Sequence, residues 1–206
     1  MTSILLLGGG GHCRACIDVI EAQGDMEIRG IVQPQPDSQG GVLGYPILGC
    51  DDDLPLLLRE VDYALVTVGQ IKQPDPRIQL FQRVKALGAK LPRIISPSAY
   101  CSRHAQVGEG TILMHGAVVN ARAQIGENCI INSLALVEHD AVIGAHCHIS
   151  TGARVNGGVR VGVGSFVGSG AVLREGVTLG SRVVIGAGQV ILQDVPDGRV
   201  VRAKRD

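Results

Sequence analysis

From position 107 onward, aliphatic residues recur on a six-residue clock. Val107, Leu113, Val119, Ile125, Ile131, Val137, Ile143, Ile149, Val155, Val161, Val167, Leu173, Leu179, Ile185 and Ile191 keep it for fifteen steps without a break. Two positions before each stands mostly a small residue, among them Ala105, Ala117, Cys129, Ala141, Cys147 and Ala171. A slower clock runs beside it, because glycine follows the aliphatic residue at 108, 126, 144, 162 and 180, an interval of eighteen. One inward residue per hexad and three hexads per turn predict a triangular solenoid of short flat strands, with glycine at a tight corner. Fifteen hexads give about five coils of a left-handed parallel β-helix. Its hand departs from the usual crossover rule because the connections are turns and not helices.

Residues 1–92 follow a different pattern. Ile4 to Leu7 reads as a short buried strand, Gly8 to Gly11 as a turn, and Cys13 to Gln23 as a helix closed by Gly24. Ile28 to Val32 is a second strand, Asp51 to Arg59 a capped helix, Ala64 to Val68 a strand, and Arg77 to Leu87 a helix closed by Gly88. Strands alternating with helices predict a small parallel α/β sheet of the doubly wound, Rossmann-like kind. The expected division is therefore 1–92 and 93–206, with the boundary near Pro92 to Ser98.

Composition narrows the function. Nineteen Lys and Arg balance nineteen Asp and Glu, so the chain carries no electrostatic footprint for nucleic acid or an anionic membrane, and small specific ligands are expected. The apolar start at Ile4 breaks at glycines after four residues, too short for a signal segment, and the expected location is the cytoplasm. Six cysteines agree with that location. Cys13 and Cys16 form a C-x-x-C with no second pair to complete a zinc site, so they read as small apolar residues of a helix. The 29 glycines and five aromatic residues require a core of small and aliphatic side chains.

Two stretches carry candidate chemistry. Gly8-Gly-Gly-Gly-His12 follows a strand and opens a helix, where backbone N–H groups and the helix dipole suit a phosphate. It is an imperfect dinucleotide fingerprint, since Cys13 breaks the glycine spacing and Gln33-Pro34 stands where an acid would meet a ribose, so a nucleotide diphosphate fits better than NAD. The second stretch is Glu138-His139-Asp140. His139 lies two residues after an inward position and should project outward, where a neighbouring carboxylate can make a neutral imidazole a general base; an ordinary solvated histidine is the competing reading. His146 is expected to be a solvated surface histidine. His148 lies half a coil from His139, so the two could meet only across subunits.

These stretches together resemble the bacterial sugar acyltransferases of the hexapeptide superfamily, of PglD and NeuD type, which include nucleotide-aminosugar N-acetyltransferases and sialic acid O-acetyltransferases. The resemblance rests on Gly8 to His12 after a strand, Ile95-Ser-Pro-Ser-Ala99, Glu138-His139-Asp140-x-x-Ile143-Gly144, His148-Ile149-Ser150-x-Gly152-Ala153 and the later hexads, and it covers nearly the whole chain. It implies acetyl transfer from acetyl-CoA, without a metal, to a UDP- or GDP-linked amino sugar in cell-surface glycan biosynthesis. His139 matches the family's general base, with Asp140 or Glu138 as the acid that strengthens it. His148 matches a residue near the thioester, and Gly157, Ser169 and Ala187 match positions lining the pantetheine channel. Gly10, Gly11 and His12 match the loop that holds the nucleotide sugar, with Gln33 and Gly69 as further substrate-binding positions. The family also implies a homotrimer with each site between two β-helices. The chain departs from the family at Gln33-Pro34 and at Val201-Arg-Ala-Lys204, where the usual Gly-x-Pro-Ala-Lys is missing.

Sugar O-acetylation and non-catalytic nucleotide-sugar binding are the alternatives. A carbonic-anhydrase-like zinc site on this fold typically includes a histidine pair five residues apart, and His104, His115, His139, His146 and His148 offer none.

Overall fold

A computed structural model describes residues 2–34, 40–71 and 73–202. The chain opens with β1 (Thr2–Leu7), α1 (Gly11–Gln23), β2 (Met26–Val32), β3 (Ile47–Gly49), a 3₁₀ turn at Asp51–Asp53, α2 (Leu54–Leu57), β4 (Tyr63–Val66) and α3 (Asp75–Ala86). The four strands form one parallel sheet in the order β3-β2-β1-β4. β1 is buried on both faces, which explains its uninterrupted Ile4-Leu-Leu-Leu7 run. α1 turns Cys13, Cys16, Ile17 and Ile20 inward and ends at Gly24, which adopts φ 75° and donates its N–H to the Ile20 carbonyl.

Two elements differ from expectation. The segment after Asp51 is a 3₁₀ turn followed by one short helix rather than a helix reaching Arg59, although Leu57, Leu58 and Val61 still pack beside Leu54 on the core. β4 stops at Val66, one residue beyond which the Thr67 N–H still donates to the Leu7 carbonyl of β1 at 2.9 Å.

The β-helix occupies the rest. Its two-residue strands stack into three parallel walls of seven, six and five strands. Neighbours along each wall sit eighteen residues apart, as in Ile131 beside Ile149 and Val137 beside Val155. The structure extends the stack two hexads upstream of the aliphatic run, to Ile94–Ile95 and Tyr100–Cys101. The last coil is shorter, because Ile185 pairs with Val201, sixteen residues on.

The corners correct the sequence reading of glycine. Left-handed backbone falls three residues after each inward aliphatic from Val107 to Ile185, at Gly110, Gly116, Arg122, Asn128, Leu134, Asp140, His146 and onward, and not at the glycines that directly follow it. Those glycines serve close approach: a Cβ on Gly126 would stand 2.5 Å from the Ala145 nitrogen on the next coil.

The outward positions give the walls three characters. One wall presents Gln106, Gln124, Val142, Arg160 and Thr178 to solvent. A second presents Tyr100, Val118, Leu136, Arg154, Val172 and Val190, largely apolar, with Tyr100 57% and Val190 62% exposed. The third presents Ile94, Ile112, Ile130, His148 and Phe166, all buried. It is covered by α1 and its neighbours, so Ile4, Leu6, Ile17 and Ile20 share one apolar cluster with Ile94, Ile112 and Ile130.

Candidate active site

The glycine loop lies at the carboxyl ends of β1 and β4, the point where strand order reverses and where open α/β sheets hold ligands. Gly8 has φ 112°, and the Val68 side chain occupies the space its Cβ would need. The Gln33 side chain covers Gly9 in the same manner, while Gly69 backs onto His12. Gly10 and Gly11 are exposed, with nothing within 4 Å of where a Cβ on either would stand. Gly10 caps α1 without a side-chain bond, and no acidic residue stands in the first turn. Cys13 N–H donates to the Gly10 carbonyl at 3.0 Å, while the N–H groups of Gly11 and His12 have no backbone acceptor among the described residues and so suit a phosphate. Gly10, Gly11, His12, Gln33 and Gly69 thus converge on one crevice.

His12 turns inward from this loop. Its Nε2 is 3.4 Å from Cys16 Sγ and its ring centroid is 6.4 Å from that of His148. Burial, with the Arg77 charge adding, pushes its pKa down to about 3. Burial also raises the thiol pKa values of Cys13 and Cys16, so neither supplies a thiolate. His148 donates from Nδ1 to the Gln70 carbonyl at 2.6 Å and accepts at Nε2 from Asn132 Nδ2 at 3.0 Å. Its pKa falls to about 4, mainly through burial, so the ring is a neutral strut. Phe166 meets it edge-on at 5.2 Å.

Beyond Phe166 an apolar groove of about 620 Å³ runs up two coils. Ile71, Ser169, Ala187, Val184, Val200 and Arg202 line it. The amides of Ser169 and Ala187 donate to no acceptor among the described residues, which leaves them free for carbonyls of an extended ligand. The path from the glycine loop to the groove is a row of neighbouring rings, His12, His148 and Phe166, the last of which lines the groove. The tail positions Ala203 and Lys204 lie outside the described residues.

Glu138, His139 and Asp140 stand at a different corner, between the apolar and the polar wall. Asp140 adopts φ 60°, the corner conformation it shares with Arg122, Leu134 and His146. His139 Nδ1 meets Asp140 Oδ2 at 2.9 Å, and Arg122 Nε holds the other oxygen at 2.8 Å. This hydrogen bond to Asp140 raises the His139 pKa. Glu138 faces elsewhere, taking Asn120 Nδ2 at 2.7 Å and the His139 amide at 3.3 Å. The ring is exposed and lies over Gly157, so Gly157 sits beneath His139 and apart from Ser169 and Ala187 within one chain.

His146 does not behave as a solvated histidine. It is 6% exposed, bonded to Asn128 Nδ2 at 3.0 Å and set edge-on to Phe81, because α3 covers that corner. Sequence reasoning also missed Gln70, Arg77, Asn132 and Phe166. Phe166 could have been found as a bulky aromatic at an outward position; Arg77 reads as one more polar residue of a helix.

Comparison with known families supports this architecture. The family described as PglD N-terminal domain matches residues 3–84, and the bacterial transferase hexapeptide (six repeats) family matches 104–139 and 122–157. A solved perosamine N-acetyltransferase from Caulobacter crescentus, an H-to-N variant in complex with CoA and GDP-perosamine, is 34% identical. It superposes with a TM-score of 0.91 over 97% of this chain and 93% of its own. The chain belongs to the PglD-like family of sugar acetyltransferases. A second solved structure, the acetyltransferase domain of PglB from Neisseria gonorrhoeae FA1090, is 35% identical with a TM-score of 0.87, over 97% of this chain and 96% of its own. WeeI from Acinetobacter baumannii AYE, 20% identical with a TM-score of 0.86 over 98% and 97% of the two chains, shares the fold. Comparison with curated protein sequences finds no match. Among the described residues of this PglD-like chain, no three His, Cys, Asp or Glu side chains cluster as a metal site, and no helix is long and apolar enough to cross a membrane.

Proposed function

We propose that this acetyl-CoA-dependent sugar N-acetyltransferase acetylates the amino group of a UDP- or GDP-linked amino sugar, with His139 as general base, in cell-surface glycan biosynthesis. Residues 1–92 bind the nucleotide sugar and 93–206 carry acetyl transfer. The observation that carries the reading is the Arg122–Asp140–His139 relay. Asp140 fixes the Nδ1–H tautomer and leaves Nε2 bare to accept a proton. The amine lone pair attacks the thioester carbonyl as Nε2 takes the amine proton, the C–S bond breaks, and the imidazolium returns the proton to the departing CoA sulfur. Exposed corner amides such as that of Ser169 are suited to the developing oxyanion. Solved relatives crystallised with CoA and GDP-perosamine support the substrate class.

The site is completed in a homotrimer. The apolar wall carries His139 at one edge and the groove of Ser169 and Ala187 at the other. When three such walls close around a threefold axis, one copy's His139 edge meets the next copy's groove edge, and exposed Tyr100 and Val190 are buried. The protein acts in the cytoplasm, where its six free cysteines stay reduced.

The test is thiol release from acetyl-CoA against a panel of UDP- and GDP-linked amino sugars, with free sialic acid and CMP-sialic acid alongside. Release with an amino sugar is expected; release only with a hydroxyl acceptor moves the reading to O-acetylation, and binding without turnover makes the protein a binding module. Mixed His139→Ala and Ser169→Trp subunits are expected to regain activity, and failure of a trimeric mixture to do so counts against a shared site.

A further inference from the structure

The segment Thr67–Ile71 touches both halves of the path in sequence. Thr67 Oγ1 donates to the Gly8 carbonyl at 2.7 Å, and Val68 fills the space beside Gly8. Gly69 backs onto His12. The Gln70 carbonyl receives His148 Nδ1–H, and Gln70 Nε2 donates to the Gly164 carbonyl at 3.2 Å. Ile71 lines the groove.

What holds the root of this segment is Arg77. It is 1% exposed, and no carboxylate pairs with it among the described residues. Its Nη1 donates to the carbonyls of Val66 at 2.7 Å and Val68 at 2.9 Å, and its Nε donates to the Asn128 carbonyl of the β-helix at 3.3 Å. β4 is the edge strand, so the outer carbonyls of Val66 and Val68 have no neighbouring strand to pair with. A buried guanidinium without a counter-ion is costly to keep and is retained where its fork of donors has fixed work.

We infer that Arg77 is a positioning residue for acetyl transfer, fastening the Thr67–Ile71 segment to the β-helix so that the nucleotide-sugar crevice and the acetyl-CoA groove keep one fixed separation. This rests on the function proposed above. Arg77 touches neither substrate site directly and acts through Gln70, His148 and Ile71. Displacing reacting groups by about 1 Å costs on the order of a hundredfold in rate.

The experiment compares Arg77→Met, Arg77→Lys, Gln70→Ala and, as control, Lys85→Ala. Lys85 joins α3 to Glu109 and Glu127 of the β-helix on the surface, away from the segment. Each full-length variant is measured for KM of both substrates, kcat, melting temperature and acetyl-CoA affinity by calorimetry. The expected result is a fall in kcat of about tenfold to a hundredfold together with a rise of about tenfold in both KM values for Arg77→Met, intermediate changes for Arg77→Lys, and several-fold changes for Gln70→Ala without a matching loss of melting temperature. Lys85→Ala should leave both KM values unchanged. Unchanged KM and affinity in Gln70→Ala and in folded Arg77→Lys would overturn the inference, as would an equal effect in Lys85→Ala. If the wild type turns over no amino sugar, the proposed function fails, and the calorimetric affinities alone decide the role of Arg77.

Discussion

The imidazole of His139 lies on the backbone of Gly157, its counterpart one coil further along. A Cβ at position 157 would stand 2.9 Å from Nε2 and 2.8 Å from Cε1. The glycine is thus a seat for the base, and the outward corner is shaped by what it leaves out.

Gly157→Ala therefore moves the ring and not the coil, since His139 is exposed and free to swing aside. The expected outcome is a loss in kcat on the order of tenfold to a hundredfold, with a melting temperature close to wild type. Steady-state kinetics and calorimetry on the same sample check it.

The pH profile follows from Asp140. His139 is a base only when neutral, and the Asp140 hydrogen bond raises its pKa, with the charges of Asp140, Glu138 and Glu175 adding to the effect. Activity therefore falls as pH drops through that raised value. In Asp140→Asn the acidic limb is expected to move to lower pH, toward an ordinary imidazole at roughly 6.5. Its plateau should also fall, because the tautomer is no longer held. A limb at the same pH in both proteins would assign the titration to another group.

Stability depends on pH through His148. Its native pKa of about 4 lies below its unfolded value, so the unfolded chain binds the proton first as pH falls. This contribution is intact above about pH 6.5 and is lost progressively down to about pH 4, by roughly 3 kcal/mol at about 1.4 kcal/mol per pKa unit. Urea unfolding of wild type and His148→Gln across this range measures it, and the variant should show the shallower slope.

Two classes of glycine should respond differently to alanine. A methyl on Gly126 would meet the Ala145 nitrogen and stand 2.8 Å from its Cα, forcing adjacent coils apart. Gly152 has φ 64° and nothing within 4 Å, so its alanine bears backbone strain only, about 1–2 kcal/mol. Gly126→Ala should lower the melting temperature more, since neighbouring backbone cannot yield as a side chain can.

The β-helix was legible because one inward aliphatic per hexad is a strictly local rule, repeated at every coil. The role of the glycines was not, since close approach between Gly126 and Ala145 depends on residues nineteen positions apart. The glycine loop and the Glu138-His139-Asp140 stretch could be picked out because their spacing survives in the linear chain. Choosing Asp140 over Glu138 required the folded corner, where Asp140 bonds the imidazole and Glu138 is taken by Asn120 one coil away. His146 and Arg77 were misread or unseen because their surroundings are made by α3 docking on the β-helix, a contact that no local pattern encodes.

The most direct measurement of the central claim is single-turnover acetyl transfer by His139→Ala, using saturating acetyl-CoA and the amino sugar that wild type accepts. The account predicts a folded protein that binds both substrates with near wild-type affinity and transfers acetyl at least a hundredfold more slowly, in keeping with loss of a general base. Transfer at a near wild-type rate would contradict it and remove His139 from the chemistry.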